Sequence, residues 1–248
     1  HVVPSDASAD RMTEKWEEGG KLLAEAVQRL KLEPSNVTAV LREGDPKDVV
    51  CQVADEIDTD LIIMGSRGLK RLQSILANSV SQYVFQLASR PMLLVKDDIY
   101  VKKIKRILVA VDRSDTAKQS LELTMSFARD IPGSEVILVH TTPDLRKNPK
   151  ELFEGHPEDD PVLSDAIATA KRYGVAYKCA APAGKPGARI CQLADAQGVD
   201  LIVLGSPDRR PSIAKNMPDL DRLLGGSLSD YVRVYANCPV LLVRQPAA

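Results

Sequence analysis

The 248-residue sequence predicts two tandem doubly wound parallel-sheet units of the α/β class, related to each other by a pseudo-twofold. Three observations predict it. The chain contains an internal duplication. Each copy alternates short β-rich apolar runs with helical patterns, which calls for a parallel sheet with helices on both faces. The copies end on matching apolar strands suited to pairing with each other.

The duplication is direct. CQVADEIDTDLIIMGS (51–66) and CQLADAQGVDLIVLGS (191–206) share nine of sixteen residues at an offset of 140. NSVSQYVFQLASRPMLLV (78–95) and GSLSDYVRVYANCPVLLV (226–243) share nine of eighteen at an offset of 148. The second copy therefore carries eight extra residues, within the proline- and charge-rich stretch 206–225, which reads as a loop. The polar segment DDIYVKKIK (97–105) joins the copies, giving units of 1–97 and 104–248.

The second unit reads as complete. ILVAV (107–111) suits a buried parallel strand, and Asp112 follows it. Ser114 is placed to cap a helix carrying Ala117, Leu121, Met125 and Ala128 at helical spacing. EVILVH (135–140), a helix near 160–173 and a strand near 175–180 come next. Pro186 opens a further helix, DLIVLG (200–205) is the fourth strand, and a helix over 226–236 leads into VLLV (240–243).

The first unit begins later in this plan. His1-Val2-Val3-Pro4 aligns with His140-Thr141-Thr142-Pro143. A helix with Met12, Trp16, Leu23, Val27 and Leu30 follows, then a strand at VTAVL (37–41) and a helix after Asp45-Pro46. DLIIMG (60–65), a helix near 79–89 and MLLV (92–95) complete it. Nothing corresponds to ILVAVD, and this absence reads as a truncation rather than a different fold. MLLV and VLLV are the expected mutual edge, since unpaired apolar edges invite pairing.

Composition excludes several function classes. The chain is 44% hydrophobic and 27% charged, with 33 basic against 34 acidic residues. No basic stripe supports a nucleic-acid partner. No apolar run reaches membrane-spanning length, and no signal peptide is evident, so the expected address is the cytoplasm. Cys51, Cys179, Cys191 and Cys238 form no C-x-x-C pair, and there are three histidines, so a zinc or redox centre is not expected. These thiols read as buried and structural, and His140 as a satisfied structural histidine.

Ligands of open parallel sheets bind beyond the carboxyl ends of the strands, where strand order reverses. Asp112 ends the first strand of the second unit there, and Gly65 and Gly205 end the fourth strands. The last helices start at Asn78-Ser79-Val80 and Gly226-Ser227. Gly65-Ser66-Arg67-Gly68, nine residues and then Asn78-Ser79 form a loop whose backbone N–H groups can approach a phosphate, beside the positive end of a helix. Arg67, Lys70 and Arg71 add charge. The same residues would also serve a tight turn, a helix cap and a solvated basic face, and Asp112 could cap the turn after it.

The pattern G-x2-G-x9-G-[S/T], with ILVAVDRSD (107–115), DLIVLGS (200–206) and CPVLLV (238–243), resembles the universal stress proteins over nearly the whole chain. The resemblance implies a five-stranded sheet in the order 3-2-1-4-5 and dimer-like pairing through the last strands. It implies ATP or AMP as ligand, with or without Mg. It assigns the adenosine to Asp112 and the adenine to Val2 and Thr141. The nucleotide loop falls on Gly65, Ser66, Arg67, Gly68, Asn78, Ser79 and Val80, and in the second unit on Gly205, Gly226 and Ser227. Asn78 replaces the family's glycine in the first unit, and Asp208 replaces the second glycine in the other, where a carboxylate opposes a phosphate.

The leading expectation is a nucleotide-binding stress-response regulator, without catalytic residues, that passes nucleotide occupancy to an unidentified protein partner. A ligand-free scaffold acting by dimerisation or partner binding is the alternative, with a slow ATP hydrolase as the third reading.

Overall fold

The computed structural model describes residues 1–5, 9–66, 80–96, 99–101, 103–141, 157–206 and 227–244. They form two compact units, one drawn from His1–Thr59 and Asn78–Leu87, the other from Asp60–Ala77 and Ala88–Ala248. In chain order the strands are β1 (Val2–Val3), β2 (Arg42–Glu43), β3 (Ile62–Ser66), β4 (Met92–Lys96), β5 (Arg106–Ala110), β6 (Glu135–Val139), β7 (Tyr177–Ala180), β8 (Leu201–Gly205) and β9 (Val240–Val243). The α-helices are α1 (Ala9–Leu30), α2 (Pro46–Glu56), α3 (Val80–Leu87), α4 (Asp115–Arg129), α5 (Pro161–Tyr173), α6 (Pro186–Gln197) and α7 (Leu228–Tyr235).

The larger unit holds a seven-stranded sheet in the order β3-β4-β9-β8-β5-β6-β7. Strands β5 to β9 are mutually parallel, and their spatial order is the expected 3-2-1-4-5. The central strands are apolar on both faces because helices cover both, and Ile107, Leu108 and Val109 are fully buried. Helix α4 starts where Ser114 Oγ accepts from Ala117 N at 3.2 Å. Its Leu121, Met125 and Ala128 join Leu163, Ala166 and Ala170 of α5 in the core on that face.

The two terminal strands pair as expected. Strand β4 runs antiparallel to β9, with Met92 opposite Leu242, Leu93 opposite Leu241 and Leu94 opposite Val240. Lys96 Nζ donates to the carbonyls of Val234 (2.8 Å) and Ala236 at the end of α7. Arg244, its counterpart at the offset of 148, donates to the carbonyl of Ala88 at 2.8 Å, and Ala88 is in turn the counterpart of Ala236. Each cation thus reaches a carbonyl in the last turn or just beyond a helix of the other copy, where the helix dipole favours positive charge.

The smaller unit departs from one expectation. VTAVL (37–41) is not a strand; β2 is the two residues Arg42–Glu43, paired in parallel with Val2–Val3. Residues 177–180, which align with 37–40, are held by Val136–Val139 of β6. Among the described residues no strand pairs with 37–41, so the extended run lacks the neighbour that would make it a ladder. His1 lies beside its end: its nitrogen donates to Val40 O at 2.8 Å, and its carbonyl accepts from Arg42 N. Helix α2 begins as expected, with Asp45 Oδ1 accepting from Lys47 N at 2.9 Å and Pro46 in the first turn. The apolar stripe of α1 is only half-covered, with Trp16 and Leu30 exposed.

Candidate functional site

The complete copy brings the named residues to one edge of the sheet. Strand β5 lies between β6 and β8, and all three run parallel. Asp112, Thr141 and Gly205 therefore stand at the carboxyl ends of three adjacent strands, at the point where the winding reverses. Helix α7 precedes β9 and must run against it, so its N-terminal residue Ser227 belongs to the same edge.

Each residue also has a structural task. Asp112 Oδ1 accepts from Ser114 N at 2.7 Å, the turn that leads into α4, and the side chain is exposed. Thr141 is half-buried directly after His140. His140 Nδ1 lies 2.6 Å from Asp160 Oδ2, while Asp160 Oδ1 accepts from Val162 N at 2.8 Å and so caps α5. Burial pushes the Asp160 carboxyl up, but the hydrogen bonds from His140 and Val162, with the His140 charge and Leu163 N, outweigh it and hold the pKa below the usual value. This histidine is satisfied, in the manner of a structural residue.

Gly205 has a function that sequence reasoning missed. A Cβ built there would lie 2.6 Å from the carbonyl carbon of Thr116 and 2.7 Å from Ala117 N. The start of α4 rests on the bare backbone of Gly205, so glycine is required for packing whether or not a ligand comes. Its counterpart Gly65 meets nothing within 4 Å. The recurrence of the glycine in both copies was the one signal, and it does not distinguish a helix from a phosphate.

Ser227 caps α7: its Oγ accepts from Asp230 N at 3.1 Å and donates to Asp230 Oδ2 at 2.9 Å. The carboxylate of Asp230 thereby sits in the first turn, at the helix end a phosphate would use. The first copy has neutral Gln82 at that position. Asp230 is a second residue that the motif alone did not identify.

In the first copy, Val2 lies in β1 and is half-buried, and Val80 is the first residue of α3; both belong to the smaller unit. Gly65 and Ser66 end β3 in the larger unit. Arg67, Gly68, Asn78, Ser79 and Gly226, with the segment 207–225, lie outside the described residues.

A cavity of about 390 Å³ lined by Ile137, Glu158, Tyr177, Lys178, Cys179 and Gln197 lies along the outer strand β7, and among the described residues none of the named site residues lines it. Among the described residues no cluster of His, Cys, Asp and Glu could hold a metal ion, and no helix is long and apolar enough to cross a membrane.

Comparison with known proteins agrees with this architecture. A universal stress protein A-like protein of Arabidopsis thaliana is 38% identical over 58 residues, covering 23% of this chain and 33% of that one. A universal stress protein of Bacillus subtilis is 30% identical over 94 residues, 38% of this chain and 64% of its own. The chain thus spans less than two thirds of these relatives. One from Synechocystis is 26% identical over 158 residues, 56% of this chain and 97% of its own. The crystal structure of a universal stress protein from Archaeoglobus fulgidus has the same fold, with a TM-score of 0.72 at 21% identity, over 99% of this chain and 84% of that one. The model of the universal stress protein family matches residues 1–96 and again 103–244, and the chain belongs to that family as a tandem member.

Proposed function

We propose that the chain binds an adenine nucleotide, ATP or AMP, as a stress-response regulator. The observation that carries the reading is the convergence of Asp112, Thr141 and Gly205 at the carboxyl ends of β5, β6 and β8, the place where open parallel sheets take ligands. Family membership and the glycine spacing of the first copy support it. Asp112 would contact the adenosine, Thr141 would frame the adenine, and helix starts and glycine loops would take the phosphates. Asp230 adds negative charge at the helix start of the second copy, and Asp208 stands in the sequence at the motif's second glycine position, so the glycine motif Gly65 to Ser79 is the better suited to a phosphate. Nucleotide would act by shifting the population of a partner-binding surface.

The Ser227–Asp230 closure of α7 favours a second reading for the second copy alone, a ligand-free pairing domain. Nucleotide released by heating the purified protein, identified chromatographically, tests the proposal. Adenine nucleotide near one per chain is expected; none, with no heat of binding on titration with AMP or ATP, refutes it.

A further inference from the structure

Helix α7 is held at both ends, and the two holds come from different copies of the repeat. At its start Ser227 Oγ donates to Asp230 Oδ2 at 2.9 Å and accepts from Asp230 N at 3.1 Å. At its end Lys96 Nζ donates to Val234 O at 2.8 Å and to Ala236 O. Lys96 closes β4, and its partner in the ladder is Ser66, which follows Gly65 at the end of β3. Gly65, Ser66, Lys96 and α7 all lie in the larger unit. A continuous path thus runs from the glycine turn of the first copy, through one strand pair and one buried ammonium, to the helix start of the second.

The repeat makes the reverse link by the same device. Gly205 pairs with Val243, and the next residue, Arg244, donates to the carbonyl of Ala88, directly after α3. Each cation follows the strand beside its own copy's glycine turn and grips the other copy at the end of its last helix.

The hold of Lys96 bears on the far end of α7. Ser227 has one hydroxyl proton, and Asp230 takes it. A phosphate at this helix start takes that proton instead and opens the closure. Anchorage at the other end then matters most, because a helix of eight residues is marginal alone.

We infer that the nucleotide sites of the two copies are coupled through Lys96, a positioning residue: AMP on the first copy steadies α7 and so raises affinity at its start. AMP against Gly65 and Ser66 fixes the end of β3, the ladder fixes Lys96, and the cost of ordering α7 is met before its own ligand arrives, which is positive cooperativity. The inference rests on the nucleotide-binding reading proposed above.

The test follows amide hydrogen exchange of the intact chain with and without AMP, with occupancy counted by titration calorimetry. At one AMP per chain, exchange across residues 228–236 should slow about fivefold or more, the low end of ordinary coupling. Lys96→Met should abolish the slowing while AMP still binds the first copy, and Lys96→Arg, which keeps charge and donors, should restore it. Arg244→Met removes the matching cation from the same junction and should leave the slowing in place, which a general loosening would not. Three results would each overturn the inference: AMP bound with α7 unchanged, slowing that survives Lys96→Met, or slowing that survives Gly68→Asp, which would place AMP on α7 itself. No heat of AMP binding would refute the nucleotide reading and this inference with it.

Discussion

Leu93 and Leu241 face each other across the antiparallel junction of β4 and β9, and they are the same residue of the repeat, 148 positions apart. Their neighbours exchange places: Met92 meets Leu242, and Leu94 meets Val240. A local twofold therefore passes through the Leu93–Leu241 pair. The junction has the self-complementary form of an isologous dimer interface, made within one chain. Leu242 is fully buried there. Leu242→Ala should cost about 2–5 kcal/mol and lower the melting temperature by roughly 5–15 °C, read by calorimetry.

The same symmetry sets the fate of Lys96, which is 7% exposed. Its ammonium hydrogen-bonds the carbonyls of Val234 and Ala236. Lys96→Met keeps the apolar stem and removes the donors. A loss of about 1–3 kcal/mol is expected in denaturant unfolding, since carbonyls lose a partner in a buried place. A loss below about 0.5 kcal/mol would mean that water replaces the ammonium at no cost.

Gly205 and Gly65 should respond differently to the same change. Gly205→Ala forces α4 off β8 and should destabilise by about 1–3 kcal/mol, while Gly65→Ala should be close to neutral. Equal thermal shifts for the two variants would remove the packing explanation.

Acid should release the cap of α5. The folded-state pKa of Asp160 is depressed, so its contribution is fully present above the unfolded carboxylate range, near pH 4, and is lost as pH falls through the lower folded value. Asp160→Ala should cost about 1 kcal/mol at neutral pH, with the difference from the native protein shrinking below about pH 4. Stability measured by urea unfolding across pH 3–7 checks the sign.

Much of this was legible in the sequence, for local reasons. ILVAV, DLIVLG and VLLV read as strands because burial on both faces leaves no polar alternation, and Ser114, Asp45 and Pro186 mark helix starts by chemistry that acts within one turn. VTAVL failed because a strand exists only with a paired neighbour, and the ladder described beside it is Val2–Val3 with Arg42–Glu43. The task of Gly205 was hidden because the helix on it is distant in sequence. Lys96 and Arg244 left a trace, a cation after LLV in both copies, but its meaning depends on a junction between copies.

The second copy's phosphate end yields the sharpest functional prediction. At that end Ser227 closes on Asp230, placing a carboxylate in the first turn of α7. The first copy has Gln82 there, which can fill the same space without charge. A carboxylate several ångströms from a phosphate in a solvated site costs about 0.5–1.5 kcal/mol, or roughly threefold to tenfold in affinity. Asp230→Gln should therefore raise AMP or ATP affinity at the second site by about that factor, at a stability cost of a few tenths of a kcal/mol from the weakened helix start. The gain should shrink as salt rises, because it is electrostatic. Titration calorimetry on this variant and on Gly68→Asp separates the two sites: the first should gain binding in the second copy, and the second should lose it in the first. Unchanged isotherms for both variants would rule out phosphate recognition at these helix starts and leave the Ser227–Asp230 pair as a cap alone.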